Sequence, residues 1–156
     1  MVGRIKETQA APLITVCPRV PPNVKFEVDD CEEPWTFNTP FDFIHARYLS
    51  GAIKDWPALI RQCYHNTAPG GRVEIQDFDL QYRSEDGSMT DDHAVAIWVN
   101  TLLDACVEFG ADPFPGPKLG HWMEEAGFVN IRVEKFPIPI GPWAKDKHLV
   151  SLSVAS

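Results

Sequence analysis

An acidic run, Asp29-Asp30-Cys31-Glu32-Glu33, follows directly on Val24 to Val28, where apolar and charged residues alternate. Alternation predicts a strand, so two carboxylates stand at a strand's carboxyl end. There they could accept hydrogen bonds from an adenine amino group or from ribose hydroxyls. The same residues equally make a solvated turn. A second group, His45, Arg47 and Tyr48, closes the stretch Phe41 to Ala46, and a third, Gln76, Asp77 and Asp79, closes Arg72 to Phe78. Polar residues at the ends of two strands either border a ligand or face water.

The elements that must position these groups form one unit. Phe41 to Ala46 has closely spaced apolar residues, as in a strand covered on both faces. Arg47 to Gly51 leaves it as a loop. Asp55 can cap a helix and Pro57 suits its first turn, where a missing N–H costs little. Trp56, Leu59, Ile60, Cys63 and Tyr64 then repeat at helical spacing, which predicts a buried stripe. Pro69-Gly70-Gly71 stops the helix and permits a tight reversal into a strand over Arg72 to Phe78, packed by Val73 and Ile75. Strand, helix and strand in this order require a parallel pair with a right-handed crossover. Ligands in such sheets bind beyond the carboxyl ends of the strands, where the polar groups stand.

Length and composition narrow the function. A chain of 156 residues with 44% hydrophobic residues is expected to be one globular domain. The net charge of -8 and a pI near 5.0 disfavour nonspecific binding to nucleic acid or to an anionic membrane surface. No apolar run is long enough to span a bilayer, and no secretory leader is evident. Cys17, Cys31, Cys63 and Cys106 are scattered, with no zinc-like spacing. A reduced, intracellular protein of the cytosol or nucleus is expected.

The remaining chain predicts more elements. Thr90 or Asp91 caps a helix from Asp92 to Phe109, with Val95, Val99, Leu102, Leu103, Cys106 and Val107 as its apolar face. Trp98 joins the core or lines a pocket, and core is the reading preferred. Leu119 to Ala126 forms a short helix ended by Gly127, and Val129, Ile131 and Val133 alternate as a strand. His148 to Val154 reads as a terminal strand or tail.

Taken in order, Asn23 to Trp35, Phe41 to Arg47, Asp55-Trp56, Pro69 to Asp77, Glu125 to Phe128 and Pro139 to Trp143 form a recognisable set. The set resembles the class I S-adenosylmethionine-dependent methyltransferases, and within them the fungal enzymes of secondary metabolism. The resemblance covers roughly Pro21 to Asp146. It implies an α/β, doubly wound, Rossmann-like fold with a mostly parallel sheet. Val24 to Val28 would be the family's third strand, Phe41 to Ala46 the fourth, Arg72 to Asp77 the fifth and Val129 to Val133 the sixth.

The resemblance also implies roles. Asp30 matches the acid that binds adenine, and the backbone of Cys31 would touch the same ring. His45, Ala46 and Arg47 would border the methionine part of the cofactor, with His45 as candidate base. Tyr48, Asp77 and Trp98 would face a small-molecule methyl acceptor; no metal is implied.

The family's glycine loop, Gly-x-Gly-x-Gly, has no counterpart here, and only Met1 to Asn23 precede the third strand. The expectation is a partial fold, truncated at its N-terminal strands and at its last strand. Residues 1–22 would be irregular, 23–146 the methyltransferase-like domain and 147–156 a tail or short strand. The free edge of the Phe41 strand would be covered by Leu13 to Cys17, by a protein partner or by a second copy. Three functions follow: a small-molecule methyltransferase, a methyltransferase-like binding module without catalysis, or a truncated gene product.

Overall fold

A computed structural model describes residues 29–78, 80, 82, 84 and 86–138. Its elements are β1 (Phe41–Arg47), α1 (Trp56–His65), β2 (Thr67–Gln76), α2 (Ala94–Glu108) and α3 (Gly116–Ala126). The segments Val24 to Val28, Leu13 to Cys17 and His148 to Val154 lie outside the described residues.

The expected β–α–β unit is present. β1 and β2 pair in parallel, with Phe43 opposite Arg72, Ile44 opposite Val73, His45 opposite Glu74 and Arg47 opposite Gln76. Asp55 caps α1, its Oδ1 accepting from the Ala58 amide at 2.8 Å. Trp56, Leu59, Ile60 and Cys63 are buried as their spacing predicts. Tyr64 is half exposed and meets Phe128 edge-on, with centroids 5.1 Å apart.

Pro69-Gly70-Gly71 does not end the helix. Asn66 does: its amide and its side chain both donate to the Gln62 carbonyl, and the Thr67 hydroxyl donates to the Cys63 carbonyl. β2 therefore starts at Thr67 rather than at Arg72. Phe41 pairs with Thr67 and Phe43 with Arg72, so residues 68–71 bulge out of the ladder. A Cβ on Gly71 would lie 2.7 Å from the Thr67 methyl and 3.0 Å from the Asp42 carbonyl oxygen, so the bulge leaves no room for a side chain there.

The core lies on one face of the sheet. Ile44, Val73 and Ile75 pack with Cys31, Ile53, Trp56, Leu59 and Cys63, and Leu119 and Trp122 of α3 and Phe128 just beyond it close the core. The opposite face, carrying Phe43, His45, Arg72 and Glu74, is exposed; Phe43 is 50% exposed. β1 is thus covered on one face, not two, among the described residues. No third strand pairs with either edge of the sheet among those residues.

α3 begins at Gly116, three residues earlier than its apolar spacing predicts, with Pro117 in the first turn. Gly127 ends it at φ 104°, as expected. Its amide donates to Glu124 and that of Phe128 to Met123, the two bonds of a Schellman motif. The predicted strand at Val129, Ile131 and Val133 does not form; these residues are irregular, and Val129 is 80% exposed. Alternation alone does not make a strand without a ladder partner.

α2 differs in its start and in its buried face. Its N-cap is His93, whose Nδ1 accepts from the Val95 amide at 3.3 Å. Thr90 instead opens the preceding turn, its carbonyl accepting from the His93 amide. Ala96, Val99 and Leu103 are buried, whereas Val95, Leu102 and Val107 are exposed. Trp98 is 61% exposed and does not belong to the core. No helix among the described residues is long and apolar enough to cross a membrane.

Candidate functional site at the carboxyl ends of the strands

β1 and β2 end side by side, and the chain clasps the two exits together. The Tyr48 amide donates to the Gln76 carbonyl at 3.1 Å, extending the ladder by one bond. Tyr48 then turns into the left-handed region at φ 57°, which is unfavourable for a residue with a Cβ. Its ring lies flat on Phe78, with centroids 4.9 Å apart and planes 5° from parallel. The Arg47 guanidinium sits 4.2 Å from the centre of the Tyr48 ring and also donates to the Tyr48 hydroxyl.

Asp77 does most of the clasping. Its Oδ2 accepts from the Leu49 and Ser50 amides at 2.6 and 2.9 Å, and its Oδ1 accepts from the Phe78 amide at 2.8 Å. The Ser50 hydroxyl donates to the Phe78 carbonyl at 3.1 Å. Bonds to a carboxylate are stronger than neutral ones, and these tie the β1 exit loop to the end of β2.

His45 stands on the open face of the sheet. Its Nδ1 is 3.3 Å from Oε2 of Glu74, the residue opposite it in the ladder. Its ring stacks loosely on Phe43 at 6.2 Å. Ala46, on the other face, is half-buried opposite Ile75.

The acidic run forms a turn, and that turn is tied to α1. Asp30 Oδ1 accepts from the Glu32 amide at 2.9 Å. Glu32 Oε1 accepts from the Lys54 and Asp55 amides at 2.8 and 3.0 Å, immediately before the helix. Cys31 is buried between them, and its carbonyl accepts from Trp35 Nε1 and Gln62 Nε2. The Cys63 thiol behind it is pushed up from 9.0 to about 12, first by burial and then by the proximity of Cys31.

Arg47, Tyr48 and Asp77 are therefore in one connected group, and His45 adjoins it on β1. Asp30 and Cys31 belong to the turn before α1. Trp98 faces outward from α2, and Asp79 lies outside the described residues. Sequence reasoning missed Glu74, and it gave no individual site role to Glu32 in the acidic run or to Phe78 at the end of the second strand. The parallel register would have paired His45 with Glu74 had the bulge been recognised; nothing in the sequence marks Phe78 as a stacking partner.

A parallel β–α–β unit defines an α/β protein, and the polar groups stand at the end of the sheet where ligands bind in such folds. Comparison with known proteins narrows the class. A family model described as a methyltransferase domain matches residues 4–133, and the chain belongs to that family. It is 46% identical over 129 residues to methyltransferase pytC of Aspergillus terreus, covering 83% of this chain and 40% of that protein. It is 31% identical over 121 residues to the probable methyltransferase tdiE of Emericella nidulans, covering 78% of this chain and 38% of that protein. It is 29% identical over 140 residues to the secondary metabolism regulator LAE1 of Cochliobolus heterostrophus, covering 87% and 46%. The chain spans less than half the length of these curated relatives.

Proposed function

We propose that the chain serves S-adenosylmethionine-dependent methyl transfer to a small-molecule acceptor in secondary metabolism. The observation that carries this reading is the family match over residues 4–133, which includes the strand pair whose exits hold Arg47, Tyr48 and Asp77. Two of the relatives are named methyltransferases and a third a regulator of secondary metabolism.

In this reading Asp30 accepts from the adenine amino group. Its side chain is exposed and only Oδ1 is engaged, so Oδ2 remains for a ligand donor. The carbonyl of Cys31 is already used by Trp35 and Gln62, so Cys31 serves by holding the turn that presents Asp30. His45, Ala46 and Arg47 border the methionine portion; Tyr48 and Asp77 belong to the acceptor side.

The cofactor, when bound, supplies a methyl group on a sulfonium for in-line displacement. The residues of this chain then have two tasks, alignment and exclusion of water. The Asp77 clasp supports the first by tying the β1 exit loop to the end of β2. A base is needed only where the accepting atom must lose a proton. Glu74 beside His45 Nδ1 favours the tautomer with its proton on Nδ1, which leaves Nε2 to accept a proton from the acceptor.

The test is calorimetric titration of S-adenosylmethionine into the 156-residue chain and into Asp30→Ala. Binding that Asp30→Ala weakens by about tenfold or more supports the reading, as expected for losing a hydrogen bond to a charged group. Absence of binding to a cooperatively folded chain would overturn it.

A further inference from the structure

A cavity of about 290 Å³ opens beside α2. Its lining includes the buried face of that helix, Ala96, Val99 and Leu103, together with Phe114. Asp91 and Asn100 supply polar groups at its wall, and Asp91 is the one charged residue among the described residues of the lining. Neither side chain has a hydrogen-bond or ion-pair partner among the described residues.

Three features make this more than a packing defect. Its volume is near the lower end of small-molecule sites, enough for a fused two-ring body. Seven of the nine described residues that line it carry apolar or aromatic side chains, and polar atoms face the space beside them, a mixture that small-molecule sites use to fix orientation. The lining also follows directly from the strand exits, since Leu80, in its wall, is four residues beyond the end of β2. α2 is itself anchored to the β1 exit loop, because the amide of Asp112, just past the helix, donates to the Ile53 carbonyl at 3.0 Å.

We propose that this cavity is the acceptor site, and that it takes an apolar, ring-bearing molecule whose donor group, an ammonium or a hydroxyl, faces Asp91. The inference rests on the methyl-transfer reading and adds the acceptor's chemical class to it. A carboxylate without a partner among the described residues, at the wall of the cavity, accepts from a donor and repels a second carboxylate. The chain's net charge of -8 favours a cationic ligand in the same direction. Acceptors carrying a carboxylate are disfavoured.

Three probes with one ring system and different charge test this: 2-(aminomethyl)naphthalene, 2-(hydroxymethyl)naphthalene and 2-naphthoate. Each is titrated into the isotopically labelled 156-residue chain and followed by amide NMR shifts. The amine binds most tightly and the carboxylate at least about tenfold more weakly, as a charge-assisted bond implies. The shifts centre on Ala96, Val99 and Leu103. Asp91→Asn, at an exposed position, removes the amine's advantage over the alcohol. The proposal is overturned by shifts centred elsewhere, by no binding, by a carboxylate that binds as well as the amine, or by an unchanged order in Asp91→Asn. S-adenosylmethionine titrated into the same sample separates the two levels. Cofactor binding without probe binding overturns only the cavity's role. Probe binding without cofactor binding keeps a ligand cavity but removes both methyl transfer and the acceptor assignment.

Discussion

Gly51 of the β1 exit loop lies directly against the side chain of Cys106 on α2. A Cβ placed on Gly51 would lie 2.8 Å from the Cys106 Sγ, well inside contact distance, and the Gly51 backbone already sits at φ +75°. The loop that Asp77 clasps and the helix that lines the cavity thus meet at a position only glycine fills without strain.

Gly51→Ala consequently carries two penalties, left-handed backbone strain and a clash. The expected loss is about 2–5 kcal/mol in urea unfolding, from ~1–2 for the backbone and ~1–3 for overpacking. Cys106→Ala in the same chain relieves the clash and leaves the backbone term, so the double variant recovers part of the loss. Equal losses in the single and double variants would show that the sulfur contact is immaterial.

Asp77→Ala removes the acceptor for the Leu49, Ser50 and Phe78 amides together. The expected cost is about 1–3 kcal/mol. Hydrogen exchange distinguishes this from a general weakening: the Leu49 and Ser50 amides lose protection more than those within α1. Protection unchanged at both positions would refute the clasp.

Cys63 gives a pH dependence. Its thiol titrates near 9.0 ordinarily and at about 12 in the folded chain, because burial and then Cys31 disfavour the thiolate. The folded state therefore holds the proton over a range where the unfolded state has released it. Its stabilising contribution is complete below pH 9 and declines as pH rises from there toward 12, with a slope approaching ~1.4 kcal/mol per pH unit. Cys63→Ala flattens this alkaline limb in unfolding curves measured across that range. In the folded chain, Cys63 also reacts with a thiol reagent at pH 8 much more slowly than the half-buried Cys106, as peptide mass mapping would report.

Trp98→Gln tests the exposed face of α2. A core tryptophan replaced in this way would cost several kcal/mol. At 61% exposure the expected change is within about 0.5 kcal/mol, read from the midpoint of thermal or urea unfolding. A loss above ~2 kcal/mol would mean that another part of the protein covers this face.

The short-range features of the fold are written into the sequence because neighbours along the chain produce them. Asp55 caps α1 through a bond to Ala58, three residues on, and the Trp56, Leu59, Ile60 and Cys63 stripe needs only helical period and apolarity. Gly127 ends α3 because its left-handed φ favours glycine. Asp77 and Tyr48 were legible as site candidates from their position at the strand exits. Their partners were not: the bonds to Leu49 and Ser50 span 28 and 27 residues, and the Phe78 stack forms only once the two exits lie side by side. α2 shows the limit most clearly. It is apolar on more than one face, so its periodicity permits several buried stripes; the tertiary contacts bury Ala96, Val99 and Leu103 and leave Val95, Trp98 and Leu102 outside. Val129 to Val133 alternates as a strand should but has no ladder to join. The chain's own order determined which helices and turns could form. The tertiary structure decided which of their faces and carboxylates had partners, because a partner distant in sequence leaves no local signal.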